Sequence, residues 1–368
     1  MKKVGIITFH AAHNYGSMLQ AYALQQTILN FGCDCEIINF RTQLQKNIYR
    51  PFFIGKGWAK KLKALRYPKL AIGDIRKHRK FEQFLHEKFI LSPHTYTTAE
   101  ELRAAILDYD CYISGSDQIW NTACFDFQTS YFLDFVKYGK RIAYAPSMGP
   151  KPFDEIKADF YPFIKESIGR YNAVAVREQD TASLLKQATG TYPKVVLDPT
   201  LLVNPQDWSA LAGDKPLING NYIFVYTPWY DSYKSLFTFA LESAKQHNLK
   251  IIYTSPDYVS IWRKEPCFQY YTAVGPVEFL NLVKYSKYVF CGSFHAAVFS
   301  ILFNKPFFAY EGMKDSRIAP LLKMTELERC AVIQEGQLPV SYNYDETIKR
   351  LESSISLSIQ YLRNGINK

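Results

Sequence analysis

One of the seven histidines, His295, stands where open α/β sheets carry out chemistry. The stretch KYVFCGSFHAAVFSILFNKPFFAY, Lys287 to Tyr310, reads as a buried strand (Tyr288 to Cys291), a turn at Gly292 and Ser293, and a helix opened by Phe294 and His295. Asn304, Lys305 and Pro306 end that helix, and a further strand starts at Phe307. The imidazole is thus expected at the carboxyl end of a strand and the amino end of a helix, whose N–H groups and dipole favour a phosphate or carboxylate. A side chain titrating near neutrality can give or take a proton there. The competing reading is a partly buried histidine bonded to a neighbouring loop.

A second candidate is the loop Gly115-Ser116-Asp117-Gln118-Ile119-Trp120-Asn121, into which a predicted strand Asp110 to Ser114 runs. Backbone donors, a carboxylate for hydroxyls and a ring to stack on suit a sugar or an anion; otherwise Ser116 or Asp117 caps a helix. A third is the loop after the first strand, with His10, His13, Asn14, Tyr15 and Gly16. Arg177, ending another predicted strand, could grip phosphate or carboxylate bidentately, or pair with Glu178 or Asp198. Asp108-Tyr109-Asp110 has the D-x-D pattern that some glycosyltransferases use for a divalent metal. Asp110 heads a strand, and no metal site is assigned.

These residues need a frame of parallel strands. Val4 to Phe9 is an apolar run followed by a helix, in which Ser17 and Gln20 form a capping-box pattern, Ala21, Leu24, Ile28 and Phe31 share a face, and Gly32 is the stop. Asp34 to Phe40 completes a strand, helix, strand unit. Helical patterning resumes at Phe81 to Phe89 and at Thr98 to Leu107, and strands follow at Arg141 to Ala145, Ala173 to Val176 and Lys194 to Leu197. Composition changes over Leu201 to Asn221, which sets a first domain at 1–205. A second series, 206–345, holds strands at Tyr222 to Tyr226 and Lys250 to Thr254 and helices from Asp231 and Val277. A last helix, within 346–368, is expected to cross back over the first domain. Neither G-x-G-x-x-G nor G-x-x-x-x-G-K-[ST] occurs, so a dinucleotide or P-loop site has no support.

The chain, 368 residues, is long enough for two domains, and a hydrophobic content of 48% gives each a core to bury. No apolar run reaches the ~18 residues of a membrane span. MKKVGIITF ends at His10 without a small-residue cleavage site, so a first strand and a cytoplasmic protein are expected. The seven cysteines are scattered without C-x-x-C, which points to reduced thiols rather than zinc ligands or disulfides. The net charge of +10 is local: Arg41 to Lys80 carries thirteen Lys/Arg against the single acid Asp74. Tyr49, Phe52, Phe53, Trp58 and Tyr67 interleave it. A solvated helical face, an anionic membrane surface and a nucleic-acid stripe all fit; nucleic acid ranks last because no recognised module accompanies the charge.

In order along the chain, HNYGSMLQAYALQ, GSDQIWN, APSMG, VRE, LDPT and SFHAAVFSILFNKPF resemble the polysaccharide pyruvyl transferase family. The resemblance implies an α/β fold of two Rossmann-like domains facing a cleft, GT-B-like, with no obligatory metal and no cofactor. It implies transfer of an enolpyruvyl-derived group from phosphoenolpyruvate, the co-substrate, to two hydroxyls of a sugar in a surface-polysaccharide precursor, forming a cyclic pyruvate ketal. By the same resemblance His295 is the catalytic residue, and Arg177, Ser293 and Phe294 form the donor side. Asn14, Tyr15, Gly16, Gly115, Ser116, Asp117, Gln118, Trp120 and Asn121 are then assigned to the acceptor. Ser293 stands where members often carry arginine and Ala296 where they carry glycine; Arg317 downstream is a candidate for the missing charge. Acceptors of this kind are often lipid-linked, so residues 41–80 would hold the enzyme at the inner face of the membrane. Two alternatives stay open, a GT-B glycosyltransferase using a nucleotide sugar and a non-catalytic saccharide-binding relative.

Overall fold

Strands covered on both faces must be apolar throughout, and runs such as YIFVY and YVFC form such strands here. The computed structural model describes residues 1–51, 65–228, 233–254 and 265–367. Its first sheet contains β1 (Lys3–Ile7), β2 (Asp34–Ile37), β3 (Cys111–Ser114), β4 (Lys140–Tyr144), β5 (Ala173–Val176) and β6 (Lys194–Val195), in the order β2-β1-β3-β4-β5-β6. Its second contains β7 (Tyr222–Tyr226), β8 (Lys250–Tyr253), β9 (Phe268–Tyr270), β10 (Tyr288–Cys291) and β11 (Phe307–Ala309), in the order β11-β10-β7-β8-β9. Every pairing is parallel; Val4, for instance, lies opposite Cys35 on one side and Cys111 on the other. In each sheet the winding direction reverses once, between β1 and β3 and between β7 and β10. Open sheets hold ligands at the carboxyl ends of the strands at such a point.

The contacts divide the chain into one unit of Met1–Tyr49, Leu85–Val203 and Glu352–Lys368 and a second of Arg50–Phe84 and Asn204–Leu351. Sequence reading put the boundary after residue 205 and the basic segment with the first domain; the contacts put it after Val203 and group Arg50–Phe84 with the second unit. Phe52, Phe53 and Trp58 lie outside the described residues. Helix α1 (Tyr15–Leu29) is capped by Asn14, whose Oδ1 accepts from the N–H groups of Gly16 (2.9 Å) and Ser17 (3.3 Å). The expected capping box at Ser17 and Gln20 does not form, because both side chains turn toward the ends of the strands. Helix α2 (Pro68–Lys88) begins well before the expected Phe81.

Helix α3 (Phe294–Leu302) follows β10. Helix α4 (Tyr344–Asn367) belongs to the first unit from Glu352 onward. There Leu362 and Ile366 are buried, Tyr361 Oη donates to Ala143 O (3.2 Å), and Ser358 Oγ accepts from Leu197 N (3.0 Å). All seven cysteines are free thiols. Among the described residues no helix is long and apolar enough to cross a membrane.

Candidate functional site

At the β1/β3 reversal the exit loops of the first sheet are joined by buried hydrogen bonds. Thr8 Oγ1 donates to Ser116 O (2.7 Å), and Gln20 Nε2 donates to Thr8 Oγ1 (3.1 Å) and Ser17 O (2.8 Å). Ser17 Oγ donates to Asp117 Oδ2, and Gln118 N donates to Asp117 Oδ1 (2.8 Å). The two acceptor-side loops named from the sequence are therefore one structure. Gly115 allows it: a Cβ there would lie 3.0 Å from Leu24 Cδ2 and 3.1 Å from Thr8 Cβ. Asp117, with φ 79°, and Ala145, with φ 57°, are both left-handed and sit at the exits of β3 and β4. Such backbone costs of order 1–3 kcal/mol and collects at functional sites. Ser147 N donates to Asp117 O (2.8 Å), which ties the two exits together.

Arg177 lies at the same edge with its side chain only 4% exposed. Nε donates to Glu178 Oε1 (2.6 Å) and Nη1 to Asp198 Oδ2 (2.9 Å), the ion-pair alternative of the sequence reading. Burial works against its charge, but Glu178 and Asp198 outweigh that and hold the guanidinium above its ordinary range. Asp198 Oδ2 also accepts from Ser116 Oγ (3.2 Å), so Arg177 braces the loop that carries Asp117.

The assignment of Trp120 as a stacking platform is corrected by the structure. Its ring is fully buried, stacked on Phe132 with centroids 4.8 Å apart, and Nε1 donates to Ser114 Oγ and Tyr131 O, both at 3.1 Å. It is a core residue. Gly115, Ser116, Asp117 and Asn121 are buried as well, Asp117 being 8% exposed, which leaves Gln118 as the loop's one half-buried side chain. Tyr15 and Gly16 are buried in the first turn of α1, with Asn14 half-buried at its cap.

Sequence reading named His13 but missed Gln45 and Asp126. Gln45 Nε2 donates to Asp126 Oδ2 (3.1 Å) and Tyr131 Oη (3.3 Å), and the ring of His13 stacks on Tyr49 at 5.3 Å. Burial raises the Asp126 carboxyl above the usual carboxylate range, and the Asp117 charge adds to the shift. Burial likewise raises the Tyr49 hydroxyl, with Asp126 and Asp117 contributing.

In the second unit the β7/β10 reversal holds His295. Gly292 N donates to Tyr226 O (3.0 Å) and Thr227 Oγ1 to Gly292 O (3.2 Å), fixing the turn after β10 against the end of β7. Ser293, in extended conformation, caps α3 by accepting from Ala296 N (3.5 Å). Of the nine residues of α3, His295 alone is not buried. An apolar helix thus presents one imidazole, beside the ring of Phe294 (5.1 Å), at an amino end that attracts anions. Arg317 lies in the same unit, its side chain 8% exposed, with Nε and Nη2 on the Asp315 carboxylate at 3.0 and 2.6 Å. Burial pushes that carboxyl up, but the Arg317 bonds and charge prevail and hold it below its ordinary range.

Residues 14–312 match the sequence profile described as Polysaccharide pyruvyl transferase. The chain belongs to that family. The match includes Asn14, Asp117, Arg177 and His295 and ends before Arg317. No curated protein matches the chain in sequence. Among solved structures it is similar to S. aureus MnaA with UDP, at 12% identity and TM-score 0.52, over 98% of this chain and 91% of that one. It is also similar to UDP-GlcNAc 2-epimerase of Methanocaldococcus jannaschii with UDP-GlcNAc and UDP (10% identity, TM-score 0.47, 96% and 99% covered). A further likeness is E. coli heptosyltransferase WaaC with ADP (12% identity, TM-score 0.41, 97% and 99% covered). At such identities the likeness concerns the fold alone: this family member is a GT-B-like α/β protein with two parallel-sheet units.

Proposed function

We propose that the protein moves an enolpyruvyl-derived group from phosphoenolpyruvate to two hydroxyls of a saccharide in a surface-polysaccharide precursor. One hydroxyl oxygen adds to C2 of the donor while a proton goes to the methylene carbon. The second hydroxyl then bonds to C2 as the C–O bond to phosphate breaks, giving a cyclic ketal and inorganic phosphate. His295 is the proton carrier for these steps. The observation that supports this role is its position in the first turn of α3 at the β7/β10 reversal, half-buried where every other side chain of that helix is buried. The amino end of α3 suits the departing phosphate. Asp117 and Gln118 are proposed to meet the saccharide hydroxyls.

The test is a thermal-shift titration with phosphoenolpyruvate, with inorganic phosphate and a nucleotide sugar as controls. A ligand at about 100 times its Kd adds about 2.7 kcal/mol to native stability. A shift with phosphoenolpyruvate is expected, retained in His295→Asn, whose turnover should fall by about 10²- to 10⁴-fold. A shift with the nucleotide sugar alone, or undiminished turnover in the folded variant, overturns the reading.

A further inference from the structure

Helix α2 has two unlike faces. On one, Gly73 lies so close to Thr272 that an added Cβ would be 2.3 Å from the threonine Cβ. Lys80 Nζ on that side donates to Ala273 O (2.9 Å) and pairs with Glu278 (2.7 Å). These contacts fix which way the helix is turned. Lys69, Ile72, Arg76 and Arg79, all exposed and spaced three or four residues apart, form a flank of the helix beside that face rather than opposite it. At 1.5 Å per residue they form a stripe about 15 Å long. Leu65, 78% exposed, and the exposed Arg66 precede it, and Ile72 is 50% exposed. None of Lys69, Arg76 and Arg79 pairs with an acid among the described residues, and Asp74 lies off the stripe.

A helical face kept only for solubility usually mixes acids with bases three or four positions apart. This one has cations on either side of an aliphatic side chain and no acid. We propose that it docks on an anionic lipid surface. Phosphate headgroups meet Lys69, Arg76 and Arg79, and Ile72 with Leu65 enters the headgroup and acyl boundary. Lys80, engaged with Glu278, takes no part. The inference concerns attachment and stands independently of the donor reading.

The experiment is co-sedimentation of the full chain with vesicles of phosphatidylcholine, with and without phosphatidylglycerol, at about 0.1 M salt, where the Debye length is about 10 Å. Binding is expected only when phosphatidylglycerol is present. The triple variant K69E/R76E/R79E should lose on the order of 100-fold in vesicle partition. Ile72→Asn should lose several-fold, with melting temperature unchanged in both. Absence of binding to the anionic vesicles overturns the proposal, as does a triple variant that binds as well as the parent. Tighter binding to an oligonucleotide that ignores Ile72→Asn overturns it in favour of nucleic acid.

Discussion

His10 is sealed at the exit of β1, with Nδ1 3.1 Å from Thr8 O and Nε2 3.2 Å from Asn39 Oδ1. Burial lowers its pKa to about 4, against the two hydrogen bonds, which act to raise it. The folded chain therefore keeps it neutral in a range where the unfolded chain, titrating near 6.5, is already protonated. Between pH 6.5 and 4 the unfolded state binds more protons, so stability falls as the solution is acidified and recovers fully above 6.5. The difference reaches about 3 kcal/mol at the lower end. Denaturant unfolding of the parent and of His10→Asn at a series of pH values checks this. The parent should lose stability relative to the variant by that amount on acidification, and parallel pH profiles would refute it.

At the scale of elements, the close approach of α2 to its unit gives a second test. Alanine forms helix better than glycine by about 1 kcal/mol. At position 73, however, the new methyl meets Thr272, a β-branched side chain with no flexible end to swing away. Gly73→Ala should lower stability by about 1–3 kcal/mol, seen as a lower urea midpoint at unchanged slope. A higher midpoint would mean that the helix is not held at that distance. The same element shows where sequence reading stops. The strand exits at Gly115-Ser116 and Gly292-Ser293 were legible because small polar residues interrupt runs that a doubly covered strand must keep apolar. The first half of α2 was not, because its docking depends on Thr272 and Glu278, remote in sequence. Gln45 and Asp126 likewise meet across 81 positions, and no local pattern reports that. Trp120 stands among polar neighbours that suggested exposure, whereas its partners Phe132 and Tyr131 make it core. Ser17 matched a capping signature, yet Asn14 took the cap and left the hydroxyl to Asp117.

For the molecule as a whole, the first unit is assembled from three separate stretches of chain. Its sheet needs the last of them. Leu362 and Ile366 are buried, worth about 1.5–3 kcal/mol each, and Leu197 N and Ala143 O have their partners on α4. A chain ending at Leu351 should lose hydrogen-exchange protection in β1–β6 while β7–β11 keep theirs. Equal protection in both sheets would show that the first unit closes without Glu352–Lys368. The discontinuity also bears on how the protein is made. The strands of the first sheet leave the ribosome early, but residues Asn204–Leu351 must be translated before the helix that completes them, roughly 7–30 s at 5–20 residues per second. Throughout that interval the nascent sheet presents the apolar surface around Ile142 and Tyr144 that α4 will later cover. The second unit, translated later, has its own segments in hand first.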